Sequence, residues 1–224
     1  MQCINQCAKE GAGQSSVLRQ WTITAPEYFE ILMLPALLQQ VHSAGRNWSL
    51  SVSRLGKELP INDLLALDTD VCFGFGPGYH QRHSLLEYRS LNEDSFVCLS
   101  SVPKHQPKNA LDIDEFCETA QVFPTPWLSE ENMVDGWLKK QARTRNIFTR
   151  ANSYHAGVNI LSAVPALIVV PEKIVATLNI SPKIKILKPP AGFPTFTLDM
   201  IWSRERNIHG DFHQLEAMIE KIKI

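Results

Sequence analysis

WTITAPEYFEILMLPALLQQVH, residues 21–42, is the stretch whose reading decides the fold. Residues 20–24 alternate polar and apolar side chains and include β-branched residues, the pattern of a half-buried strand. Ala25-Pro26 interrupts it. From Glu27 onward Tyr28, Ile31, Leu32, Leu34, Leu38 and Val41 recur at helical spacing over a broad face. Thr24 is therefore expected at the carboxyl end of a strand, just before a helix. In open α/β sheets that is where free backbone N–H groups meet small ligands. The stretch is expected to form one wall of a small-molecule site.

Working outward, residues 1–17 are polar with little periodicity and read as a linker remnant or added residues. Downstream, strands are expected at 48–55, 71–76, 85–88, 95–101, 120–123, 146–150, 167–170, 184–187 and 196–202. Helices are expected at 61–67, 112–119 with Asp112 as N-cap, 130–144, 153–162, 172–178 and 211–223. Gly74, Gly76 and Gly78 have the spacing of a dinucleotide loop. Pro77 and a polar run follow them instead of a helix, so that reading is rejected.

The elements fall into two αβ series joined near Ser100 and again near Thr195. The last strand and helix need partners, and returning them to the first series is the simplest arrangement. The fold class is thus α/β: two Rossmann-like lobes with a central cleft and two crossover strands. Residues 18–99 with 196–224 would form lobe I, and residues 100–195 lobe II.

The 224 residues suffice for this. Lys+Arg 22 against Asp+Glu 23 gives a net charge of -1, which argues against this chain itself binding nucleic acid. No run approaches the roughly 18 apolar residues of a membrane span. The N-terminus lacks a charged-then-apolar secretory pattern, so the cytoplasm is the expected location. The five cysteines form no C-x-x-C pair. Cys98, Cys117 and the others are expected to act as small hydrophobes rather than as a redox switch.

Five segments in order resemble the effector-binding domain of LysR-type transcriptional regulators. They are the opening strand and helix with Leu34-Pro35-x-Leu37-Leu38; LLALDTDVCFG at 64–74, where Asp68 and Thr69 replace the usual glycine and its neighbour; and LNEDSFVCLSSVPKHQ at 91–106, with Gln106 for the usual proline. NSYHAGVNILSAVPALIVVPEKIV at 152–175 and MIWSRERNIHGDFHQLEAMI at 200–219 complete the set, with Leu215 in place of a tryptophan. The resemblance implies the type 2 periplasmic-binding-protein fold and a small-molecule effector. It implies a homodimer, or a tetramer at full length, built by the 28–42 helix of one chain against the 131–144 helix of another. It implies DNA contact only through an N-terminal winged helix-turn-helix, for which this sequence has no room. A solute-binding protein of a transport system, with the same fold, is the alternative.

On this reading the ligand contacts are expected at strand ends facing the opposite lobe. From lobe I they are Thr24, Ala25 and Pro26, with Phe75 and Gly76 after the third strand. Ser100 and Ser101 are expected at the crossover. From lobe II they are Phe123, Thr125, Asn152, Ser153 and Tyr154, the last three as anion donors matching Thr24. Thr, Ser and Asn at such places also cap helices with no ligand at all. His209 and His213 stand i, i+4 but have no evident third metal ligand. His80 and His83 read as solvated, and the basic run 139–150 as a solvated face. No G-x-S-x-G or acid–base pair points to an enzyme, and no cofactor is expected.

Overall fold

The computed structural model describes residues 18–76, 78–80, 82–125 and 131–223. The linker reading of 1–17, the expected start of the 130–144 helix, and Pro77 lie outside these.

The first sheet contains β1 (Arg19–Ala25), β2 (Trp48–Arg54), β3 (Val71–Gly76), β4 (Leu86–Asp94) and β10 (Phe196–Ser203), in the order β2-β1-β3-β10-β4. β1 runs parallel to β2 and β3, and β10 returns antiparallel between β3 and β4. The second sheet contains β5 (Phe96–Ser100), β6 (Gln121–Pro124), β7 (Ile147–Ala151), β8 (Leu167–Pro171) and β9 (Lys185–Leu187), in the order β7-β6-β8-β5-β9. Helices α1 (Glu27–Leu32), α2 (Leu34–Ser43), α3 (Ile61–Leu65) and α7 (Gly210–Glu220) belong with the first sheet. Helices α4 (Ile113–Glu118), α5 (Met133–Lys139) and α6 (Tyr154–Leu161) belong with the second. Strands covered on both faces read as unbroken apolar runs, and every residue of β3 and β8 is buried.

Four expectations need correction. The chain changes sheets at Ser95, because Phe96 already pairs with Pro171; the boundary is not between 99 and 100. The helix expected from Glu27 is two helices broken at Met33, because Pro35 in the first turn of α2 has no N–H to give to α1. The amphipathic helix of 130–144 is shorter: α5 ends at Lys139, and Ala142 takes a left-handed φ of 54° that no helix accommodates. Residues 172–177 form a 3-10 helix rather than an α-helix.

Both crossovers are sealed by rings. Phe196 meets Tyr28, Phe75 and Phe96 at centroid distances of 5.3, 5.0 and 5.0 Å. Phe193, in the returning segment, meets Phe96, Phe116 and Trp137. A single apolar cluster therefore runs through both lobes. Asp94, at the end of β4, accepts from the Tyr28 hydroxyl at 2.9 Å and the Lys173 N–H at 3.2 Å, pinning the first crossover. The C-terminal segment is held to the first lobe by buried Asp70, which takes the Arg19 and Arg206 guanidinium groups, each at 2.9 Å.

Candidate functional site

A cleft of ≈ 790 Å³ opens where the two lobes face each other. The first lobe supplies Lys57, just past β2, and Phe75 and His80, at and beyond the end of β3. The second supplies Asn132, Trp137 and Lys140 from α5 and its cap, and Pro194 closes the crossover side. These elements meet because parallel strands present their carboxyl ends, and the loops after them, on the same side. Asn132 and Asp135 form a capping box that fixes the start of α5.

The charge balance of the cleft is positive. Glu131 is held by the Lys139 ammonium at 2.6 Å. Neither Lys57 nor Lys140 makes an ion pair among the described residues. His80, expected from the sequence to be solvated, is half-buried. Its Nε2 accepts the Phe75 N–H at 3.2 Å, and its ring fills the space that a side chain at Gly74 would need. Burial pushes the His80 pKa down, partly offset by Asp199, so the ring is neutral and its other nitrogen carries the proton.

Of the residues expected to bind ligand, Phe75 alone lines this cleft. Thr24 is buried and its hydroxyl pairs with that of Ser53 at 3.0 Å; Ala25 and Pro26 are buried beside it. Gly76 is needed for packing, since a Cβ there would run into the Asp199 carboxylate. Ser100 and Ser101 are misplaced in the sequence reading. β5 runs away from the crossover, so they sit at the far rim of the second sheet, about 13 Å of strand from Phe96. Phe123 is buried between the guanidinium groups of Arg145 and Arg150, at 4.6 and 4.7 Å. Thr125 is turned inward, donating both its N–H and its hydroxyl to the Ala151 carbonyl.

Asn152, Ser153 and Tyr154 do form the start of α6, but two of the N–H donors there are already taken. The Ser153 hydroxyl accepts the Ala156 N–H at 3.0 Å. The Tyr154 N–H is given to a carboxylate at 2.9 Å, and that carboxylate is Glu27 of the opposite lobe. Glu27 carried no signal in the sequence beyond being an acid in a first helical turn. Lys57, Trp137 and Lys140 were missed as well, because exposed lysines have no periodicity that separates a site from a solvated face.

A family model described as the LysR substrate binding domain matches residues 14–221. The chain belongs to that family. No curated protein matches. Among solved structures, the regulatory domain of MexT, a transcriptional activator in Pseudomonas aeruginosa, superposes with a TM-score of 0.75 at 18% identity, over 93% of this chain and 99% of that one. The probable transcriptional regulator PA0477 from Pseudomonas aeruginosa gives 0.80 at 15% identity, over 92% and 67%. Full-length CbnR complexed with its target DNA gives 0.67 at 14%, over 90% and 70%. These superpositions and the family match establish a shared fold, the type 2 periplasmic-binding-protein arrangement expected from the sequence.

As a LysR regulatory domain the chain serves transcription regulation and is not an enzyme. That bears on one arrangement that looks catalytic. Ser100 Oγ lies 2.7 Å from His105 Nδ1, and His105 Nε2 lies 3.2 Å from Glu115. Ser100 and His105 are both 0% exposed, so no substrate reaches the hydroxyl. Burial lowers the His105 pKa, and the ring works as a neutral brace between β5 and α4. No helix among the described residues is long and apolar enough to cross a membrane.

Proposed function

We propose that this LysR domain senses a small anionic or aromatic effector in the ≈ 790 Å³ cleft, and that the bound state is passed through a dimer to DNA-binding heads. One observation carries the reading: the cleft is walled by Phe75 and Trp137 and flanked, one from each lobe, by two ammonium groups with no ion pair among the described residues. An aromatic acid satisfies both features, with ring on ring and carboxylate on lysine. The homodimer is supported by α2, which leaves Leu38 45% exposed while Leu37 and Val41 are buried; a tetramer belongs to the full-length assembly. CbnR, solved with its target DNA, is the model for how DNA is reached: by a separate head, in keeping with the net charge of -1 here. A regulator of this kind works in the cytoplasm.

The test is a thermal-shift series with benzoate, phthalate, aspartate and, as a neutral control, glucose. A binder present at 100 times its Kd stabilises by about 2.7 kcal/mol. The aromatic acids are expected to raise Tm, and Lys57→Ala and Lys140→Ala each to weaken that shift, while Ser100→Ala leaves it intact. A shift that survives the double lysine variant and Trp137→Ala unchanged removes the cleft as the site.

A further inference from the structure

The contact between Glu27 and α6 has a role of its own. Glu27 stands in the first turn of α1, in the first lobe, and is 9% exposed. Its Oε2 accepts the Tyr154 N–H, and its Oε1 lies 3.9 Å from His155 Nδ1. The other hydrogen bonds described between the lobes involve Asp94 or Ser95, with Glu172 and Lys173, and so hug the first crossover. Glu27 and Tyr154 instead join two helix starts that stand 127 residues apart in sequence.

The first N–H groups of a helix have no partner inside it. At α6 the N-cap Ser153 takes the Ala156 N–H and does not reach the Tyr154 N–H. Bringing the lobes together would bury that N–H unpaired, which is costly, unless the facing lobe brings an acceptor. Glu27 is that acceptor.

We propose that Glu27 is a cross-lobe latch: a side chain of the first lobe that caps α6 of the second and thereby sets the angle between the two walls of the cleft. Because the latch occupies the start of α6, a ligand's carboxylate must be held elsewhere, on the Lys57 and Lys140 flank. This last consequence rests on the cleft being the effector site; the latch itself does not.

The test therefore uses the protein with no ligand. Backbone residual dipolar couplings give the orientation of one sheet relative to the other in wild type, Glu27→Ala and Glu27→Gln. Glu27→Gln, which keeps an acceptor, is expected to hold the wild-type angle. Glu27→Ala is expected to lose it, the couplings of the two lobes no longer fitting the wild-type arrangement. Equal lobe angles in wild type and Glu27→Ala would overturn the latch. If Glu27→Ala fails to fold, the Tyr154 amide proton decides. In Glu27→Gln it should move upfield, because it faces an amide oxygen instead of a carboxylate, while the Val134 and Glu115 amides, capped within their own lobe, stay where they are. An unmoved Tyr154 resonance overturns the proposal. Neither readout depends on any effector, so failure of the latch and failure of the effector reading are separate results.

Discussion

The β1–α1 and β7–α6 junctions occupy equivalent places in their two lobes, yet their chemistry is opposite. At the first, Pro26 is the N-cap and supplies no side-chain hydrogen bond, while two acids, Glu27 and Glu30, stand in the first turn. At the second, Ser153 caps the helix and no acid stands in the first turn. One junction has a carboxylate beyond its own needs, and the other has an unclaimed N–H. The lobes close by matching the two. A strand end before a helix start predicts where backbone donors gather. It does not predict who takes them, because the opposite lobe of the same chain can get there first.

The largest test of this contrast concerns what holds α1 in place, since no side-chain cap does. Phe29 is fully buried and stacks on Phe73 with ring centroids 3.9 Å apart and planes at 20°. Phe29→Ala should cost about 3–5 kcal/mol in urea unfolding, through lost transfer energy and the cavity left behind. A loss below about 1 kcal/mol, the size of a single cap, would mean that α1 is held by something other than its packing.

A smaller effect separates the two junctions directly. Ser153→Ala removes a real cap and should cost about 1 kcal/mol. Pro26→Ala removes no side-chain hydrogen bond, so whatever it costs in packing and in a looser unfolded chain, amide exchange in the first turn of α1 should stay as in wild type, while Ser153→Ala should speed exchange of the Ala156 amide. Equal changes in exchange at the two helix starts would erase the distinction between the capped and the uncapped junction.

The same contrast explains what the sequence could and could not tell. β3 was legible to the residue, because an apolar run bounded by polar and glycine positions fixes a buried strand locally. Asp112 was legible as a cap, since its partner, the Glu115 N–H, is three residues away. Ser153 was legible as a junction residue and as a cap, its partner Ala156 being three residues away, whereas Thr24 was legible as a junction residue but not as one engaged with Ser53, 29 residues on. The crossover was placed five residues late because residues 95–101 form one apolar pattern whichever sheet they join, and the pairing of Phe96 with Pro171 is not local. Glu27 was invisible as a latch for the same reason.

The last prediction turns on the cost of the Glu27 carboxylate. Its pKa is raised above the ordinary 4.5: burial outweighs the Tyr154 N–H, His155 and Arg54, all of which favour the charge, and Glu30 opposes it. A carboxyl raised in the folded state contributes stability that is fully present below the unfolded pKa and is lost as pH rises through the folded one. Wild type should therefore lose stability relative to Glu27→Gln as pH climbs above about 4.5, the loss levelling off once pH has passed the raised folded pKa. Urea unfolding of the two proteins across that window measures it. Repeating the pair in a His155→Gln background removes the neighbouring ring at 3.9 Å as the source of any slope. A difference that stays flat with pH would mean the carboxylate is as comfortable between the lobes as in water. A difference that falls as predicted means the latch, once charged, is closed at a cost. A contact closed at a cost opens readily, and that is the property required of the element that sets the angle between two lobes of a sensor.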